Sequence, residues 1–97
     1  DTFNYQKCAS DNERIMAYYK GDSATNDHLF CVVNMDAYYT QAAWVQVPIA
    51  DLGIAEGEVF VVQDLITDVS YTWHGEWNFV ELNPHGLPFH FFKIIKG

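Results

Sequence analysis

Positive charge is what this sequence has least of. One arginine, Arg14, and four lysines stand against 13 acidic residues, for a formal net charge of −8. Nucleic acid needs clustered cations to meet its phosphates, and an anionic membrane needs a polybasic patch, so neither is an expected partner. Cysteine is also scarce: Cys8 and Cys31 are too few for a disulfide framework. Counting alone leaves a single bridge open. Cys31 lies inside an apolar run, however, where a small buried thiol is the ordinary reading, and both cysteines are expected to be reduced and structural. No apolar run approaches the ~20 residues of a membrane span, and neither a signal-peptide pattern nor an N-x-S/T sequon is present. The expected location is cytoplasmic. An unrelated extracellular adhesion domain is a weaker alternative, since such domains usually carry more disulfides.

What remains is a chain of 97 residues, 49% hydrophobic and 16% aromatic. That size fits one domain, residues 1–97, with enough apolar content for a core and too much for disorder. The chain opens on a strand-like pattern rather than on methionine, and the expectation is a piece of a longer protein.

No window carries a clear helical stripe. Short β-branched and aromatic runs recur instead, separated by Gly, Asn, Asp and Pro. The expected strands are Thr2–Lys7, Arg14–Lys20, His28–Met35, Ala43–Val47, Glu58–Asp64, Val69–Trp73, Asn78–Leu82 and Leu87–Ile95. His28–Met35 is nearly unbroken in apolarity, which means burial on both faces and a central place. Pro48 suits a strand end, and Ile49–Gly57 has room for one helical turn. Gly21–Asp27 and Leu65–Asp68 are expected to be loops, and His74-Gly75-Glu76 is expected to close a hairpin. Seven or eight short strands without an internal repeat predict an all-β fold, an antiparallel, Greek-key-like β-sandwich.

Candidate chemistry is thin. The histidines, His28, His74, His85 and His90, show no metal-ligand spacing. His85 and His90 flank Pro88 and can approach one another, but zinc would need two more ligands, for instance Asp64 and Glu81. No metal and no cofactor are expected. Cys31 in a central strand would have a raised pKa and little access, the reverse of what a nucleophile needs. Asp64, Asp68, Glu76 and Glu81 supply the carboxylates of glycoside chemistry, but they are expected on turns and solvent-facing strand positions. No catalytic residue is expected.

The aromatics are the remaining signal, and three readings stay open. Tyr71 and Trp73 suit a core. Trp44, Trp77, Tyr38 and Tyr39 suit an exposed patch that docks on another domain. All six, Tyr71 and Trp73 included, suit stacking on sugar rings, whose C–H faces pack on flat aromatic surfaces.

Several segments together resemble the C-terminal β-domain of alpha-amylase-family enzymes, most closely the bacterial maltose-1-phosphate maltosyltransferases. They are N-E-R-I-M-A-Y-Y-K (Asn12–Lys20), V-V-N-M-D (Val32–Asp36) with Thr40-Gln41 and Trp44-Val45, D-L-I-T (Asp64–Thr67), Y-T-W (Tyr71–Trp73), Gly75, N-F-V-E-L-N-P (Asn78–Pro84) and P-F-H-F-F-K (Pro88–Lys93). The chain departs from that pattern at His74, where arginine is common, at Asn83, where Asp is common, and at Asp68, where Gly is common. The resemblance implies a non-catalytic structural domain packed against a catalytic (β/α)₈ barrel of the same polypeptide. It carries no catalytic residue onto this chain, because in such enzymes the catalytic carboxylates lie on the barrel. The parent would move maltosyl units onto α-glucan by a retaining route. The alternative implied function is a carbohydrate-binding module recognising α-glucan.

Overall fold

The computed structural model describes residues 5–22, 27–86 and 88–95. Along the chain run β1 (Tyr5–Cys8), β2 (Ile15–Asp22), β3 (Asp27–Asn34), β4 (Gln41–Gln46), α1 (Ile49–Leu52), β5 (Val59–Asp64), β6 (Ser70–His74), β7 (Trp77–Leu82) and β8 (Phe89–Ile95). They form an antiparallel six-stranded sheet in the order β1-β2-β3-β8-β5-β6 and a two-stranded sheet, β4-β7. The chain changes sheet from β3 to β4, back to β5, out again at β7 and back at β8, so the all-β sandwich winds in a Greek-key-like way.

Period-two alternation decides which side chains go inside. On β2 the inward set is Ile15, Ala17 and Tyr19; on β5 it is Phe60, Val62 and Asp64; on β7 it is Asn78, Val80 and Leu82. The two sheets share one core. Phe30, Phe60 and Phe92 are fully buried in it, and Ile49, Leu52 and Ile54 of the α1 region join it beside β1 and β2. Trp73 is the hub: its ring meets Phe92 at 5.0 Å, Phe30 at 5.9 Å and Phe60 at 6.3 Å, all edge to face. Such contacts contribute about 0.5–1.5 kcal/mol each beyond the area they bury.

Most expected strands match within a residue or two, and the third is internal in its sheet. Phe3 of the first expected strand lies outside the described residues, as do residues 23–26 of the expected polar loop. Gly21 and Asp22 extend β2 and Asp27 begins β3, three positions where loop was expected. Met35 falls one residue past β3 and is exposed rather than part of a buried run.

The His74-Gly75-Glu76 hairpin is corrected. Among the described residues β6 pairs with β5 and β7 with β4, so this turn is a corner between sheets. Gly75 takes φ 68°, which glycine adopts without a Cβ penalty. The Asn78 side chain bridges the corner in place of a ladder. Its Oδ1 accepts the His74 N–H at 3.0 Å and its Nδ2 donates to the Gly75 carbonyl at 3.1 Å. Turn composition is the same for a hairpin and for a corner, so the sequence does not separate them.

The cysteines lie on opposite faces of the large sheet. Cys8 sits opposite Ala17, facing the core, whereas Cys31 sits opposite Tyr18, facing outward. Both are free and buried.

Candidate binding surfaces

The outward face of the small sheet carries the exposed tryptophans. Trp44 of β4 is directly opposite Phe79 of β7, and Gln46 is opposite Trp77. The Trp44 and Phe79 rings meet edge to face at 5.6 Å. Trp77 is then the diagonal neighbour of Trp44, within reach of a large ring. Exposures of 49% for Trp44, 42% for Trp77 and 53% for Phe79 leave half of this cluster to solvent. Phe79 was not among the expected contact residues. Its alternation with buried Asn78 and Val80 puts it beside the tryptophans, but the signal appears only once β7 is paired with β4.

The frame under Trp44 is rigid for local reasons. Its N–H donates to the Asp11 carboxylate at 2.8 Å, and its carbonyl accepts the Asp11 N–H at 3.1 Å. Asn12 Nδ2 donates to the Gln41 side chain at 2.9 Å and to the Ala42 carbonyl at 3.0 Å. The 9–12 segment therefore braces the edge of β4 that β7 leaves open.

Tyr38 and Tyr39 stand at the other end of β4, in the turn before Gln41, and both are exposed. The V-V-N-M-D and T-Q residues build that turn. Asn34 Nδ2 donates to the Tyr39 carbonyl at 3.1 Å and to the Leu82 carbonyl at 3.0 Å, and Asn34 Oδ1 accepts the Asp36 N–H at 2.8 Å. Asp36 Oδ1 accepts the N–H groups of Tyr38 and Tyr39, while Oδ2 accepts Gln41 Nε2 at 2.8 Å. These donors, the Tyr38 amide foremost, hold the Asp36 carboxyl below the usual carboxylate range. The motif thus satisfies backbone groups and presents the two tyrosines.

A second feature opens where β6 and β7 part. A groove of about 230 Å³ is lined by Tyr71, Trp73, Phe79, Glu81, His90 and Phe92, among others. Beneath it, His90 Nδ1 lies 2.9 Å from Asp64 Oδ2. Asp64 is 1% exposed, which corrects its expected place on a solvated turn. The reason is local: Asp64 Oδ1 accepts the N–H groups of Ile66 (2.9 Å) and Thr67 (3.3 Å), so the carboxylate caps the turn from inside. Burial pushes this carboxyl up. The His90 hydrogen bond and charge, with the two amides, outweigh burial and leave its pKa below the ordinary value. Among the described residues the other three carboxylates make no side-chain hydrogen bond to this pair. Asp68 accepts from Gln63, Glu76 from Gln46, and Glu81 lies on the groove rim.

Burial pushes the Cys8 thiol up to about 11 and raises that of Cys31 as well. Both are therefore protonated and weakly nucleophilic at neutral pH. Among the described residues no group of three or more His, Cys, Asp or Glu converges on a common point. Among the described residues no helix is long and apolar enough to cross a membrane.

Comparison with known proteins follows the same lines. The family described as "GLGE, C-terminal" matches residues 8–94. A protein of Methylacidiphilum infernorum named alpha-1,4-glucan:maltose-1-phosphate maltosyltransferase is 39% identical over 95 residues, covering 98% of this chain and 14% of that protein. Proteins of the same name from Chlorobaculum tepidum and Corynebacterium glutamicum are 37% and 40% identical over 87% and 77% of this chain. The chain spans 12% and 11% of their lengths.

Proposed function

Because this chain belongs to the family of GLGE C-terminal domains, we propose that it is the non-catalytic structural domain of an α-glucan maltosyltransferase. In this reading it packs against the catalytic barrel of the same polypeptide and covers apolar surface there. The parent, an alpha-amylase-family enzyme working in the cytoplasm, would transfer maltosyl units from maltose-1-phosphate to α-glucan by a retaining, two-carboxylate route. The observation that carries the reading is one of coverage: similarity spans 98% of this chain but 14% of a maltosyltransferase, which leaves the chemistry to the other part. Removing this domain from a full maltosyltransferase that carries it tests the proposal. A lower melting temperature and new binding of an apolar dye are expected. An unchanged melting temperature contradicts packing.

A second reading rests on the small sheet. Trp44, Trp77 and Phe79 form a half-exposed aromatic face, with Tyr38 and Tyr39 at its end, and such a face suits the C–H surface of α-glucan. Titration with malto-oligosaccharides, followed by NMR shifts of the tryptophan side chains, tests it. Shifts at Trp44 and Trp77 with Trp73 unmoved support glucan binding; no shift at millimolar sugar removes it.

A further inference from the structure

The outward face of the six-stranded sheet is a second surface, distinct from the tryptophan patch. Register puts Tyr18, Cys31 and Phe91 in one row across β2, β3 and β8. The next row toward β5 holds Lys20, Leu29, Lys93 and Gln63, and beyond it Ile95 stands beside Val61. The middle of this face is aliphatic and aromatic. Phe91 and Ile95 are 37% and 40% exposed, and Leu29, Val33 and Val61 are half-buried. β3 and β8 are apolar on both sides, the pattern of strands covered twice, yet the small sheet covers only one side of them.

Charge marks the same face. Lys7, Lys20 and Lys93 all point outward here, although the chain has five basic residues and a net charge of −8. Acidic residues stand at its margins: register sets Asp22 opposite Asp27, Asp27 lies 3.8 Å from Lys93, and Asp68 accepts from the outward Gln63. The face is thus apolar in its middle and carries three of the chain's five basic residues, in an otherwise acidic molecule.

We propose that this face is the interdomain interface, and that its occupant is the preceding part of a longer maltosyltransferase polypeptide. The occupant presents an apolar surface edged with carboxylates. This inference rests on the structural reading above and specifies the side through which the domain packs. Three observations select the occupant. The relatives are roughly seven to nine times as long as their matched segment, so a large body is tethered to this domain in each. A second copy in a two-fold pair would set Lys7, Lys20 and Lys93 against lysines. A sugar would meet single rings, Tyr18 and Phe91, set among aliphatic Leu29, Val33 and Val61 rather than a continuous ring platform. Strands about 4.8 Å apart and residues about 3.4 Å apart give a footprint on the order of 500 Å². Burying both sides of it falls within the roughly 600–1,500 Å² usual between domains of one chain.

Hydroxyl-radical footprinting of the full maltosyltransferase and of the 97-residue chain tests the proposal. In the full polypeptide, labelling of Tyr18 and Phe91 is expected to fall at least about fivefold, with Trp44 and Phe79 changing less than about twofold. Phe91→Asp in the full polypeptide should restore Tyr18 labelling while Trp73 stays protected, which separates undocking from unfolding. The charge reversal Lys7→Glu/Lys93→Glu, at exposed positions, should raise Tyr18 labelling in the same direction. Protection that moves to Trp44, Trp77 and Phe79 overturns this face assignment and leaves the structural reading standing. Protection on neither face overturns both. Concentration-dependent protection of Tyr18 and Phe91 in the 97-residue chain would make a second copy the occupant and also overturn the proposal.

Discussion

Individual residues of the motifs act mainly on the backbone. Asp64 is the clearest case, since one carboxylate caps the Leu65–Thr67 turn and holds His90. Asp64→Ala would leave two turn amides and a ring nitrogen without their acceptor, and a loss of about 2–3 kcal/mol in urea unfolding is expected. The pH dependence has a defined sign. The folded Asp64 pKa lies below its ordinary 3.8, so its stabilisation is fully present above that value and is lost as pH falls through the folded value. Melting temperatures measured from pH 6 down to pH 2 should fall more steeply for the native chain than for Asp64→Asn. Equal slopes would remove the pair from the account. Asp68 is a different kind of residue. It takes φ 64°, a left-handed conformation that costs most side chains free energy. Glycine, the residue expected here from the resemblance, takes this angle without a Cβ penalty. Asp68→Gly is expected to be neutral or stabilising by up to about 1 kcal/mol, and Asp68→Val to cost about 1–2 kcal/mol, read from the same denaturation curves.

At the level of elements, pairing decides what alternation leaves undetermined. The pattern within β7 separates Asn78, Val80 and Leu82 from Trp77 and Phe79, but only its register with β4 brings Phe79 against Trp44. Likewise the two thiols sit on β1 and β3, with β2 between them, and register alone sends Cys8 inward and Cys31 outward. They cannot bridge across the sheet, because a disulfide needs its Cβ vectors to converge. Both thiols should therefore titrate as free in denaturant. In the native chain at pH 7.5 each should react with a soluble disulfide reagent at least roughly tenfold more slowly, given burial and raised pKa. A mass two units below that of the reduced chain, after isolation without reductant, would contradict this.

Across the whole molecule, fold class was legible because alternation, turn residues and apolar runs all pointed to short antiparallel strands. The sheet assignment was not. His74-Gly75-Glu76 has hairpin composition, yet the core needs Trp73 under one sheet and Val80 under the other, and that need is tertiary. The exposed aromatics Trp44, Trp77, Tyr38 and Tyr39 could be named from local alternation and turn position. The outward face of the large sheet could not, since it is assembled from residues on β1, β2, β3, β8 and β5 that are up to about 90 positions apart. Burial of Asp64 was also hidden, because a D-L-I-T turn reads as solvated until His90 arrives from β8.

What unites these scales is a domain whose polar side chains serve turns and corners, and which, in the proposed structural role, leaves bond-making to another part of the polypeptide. The most direct measurement is phosphate release by the isolated 97-residue chain supplied with maltose-1-phosphate and α-glucan. Release indistinguishable from a protein-free control is the predicted result. Release that rises in proportion to the concentration of the chain, and persists through repurification, would contradict it.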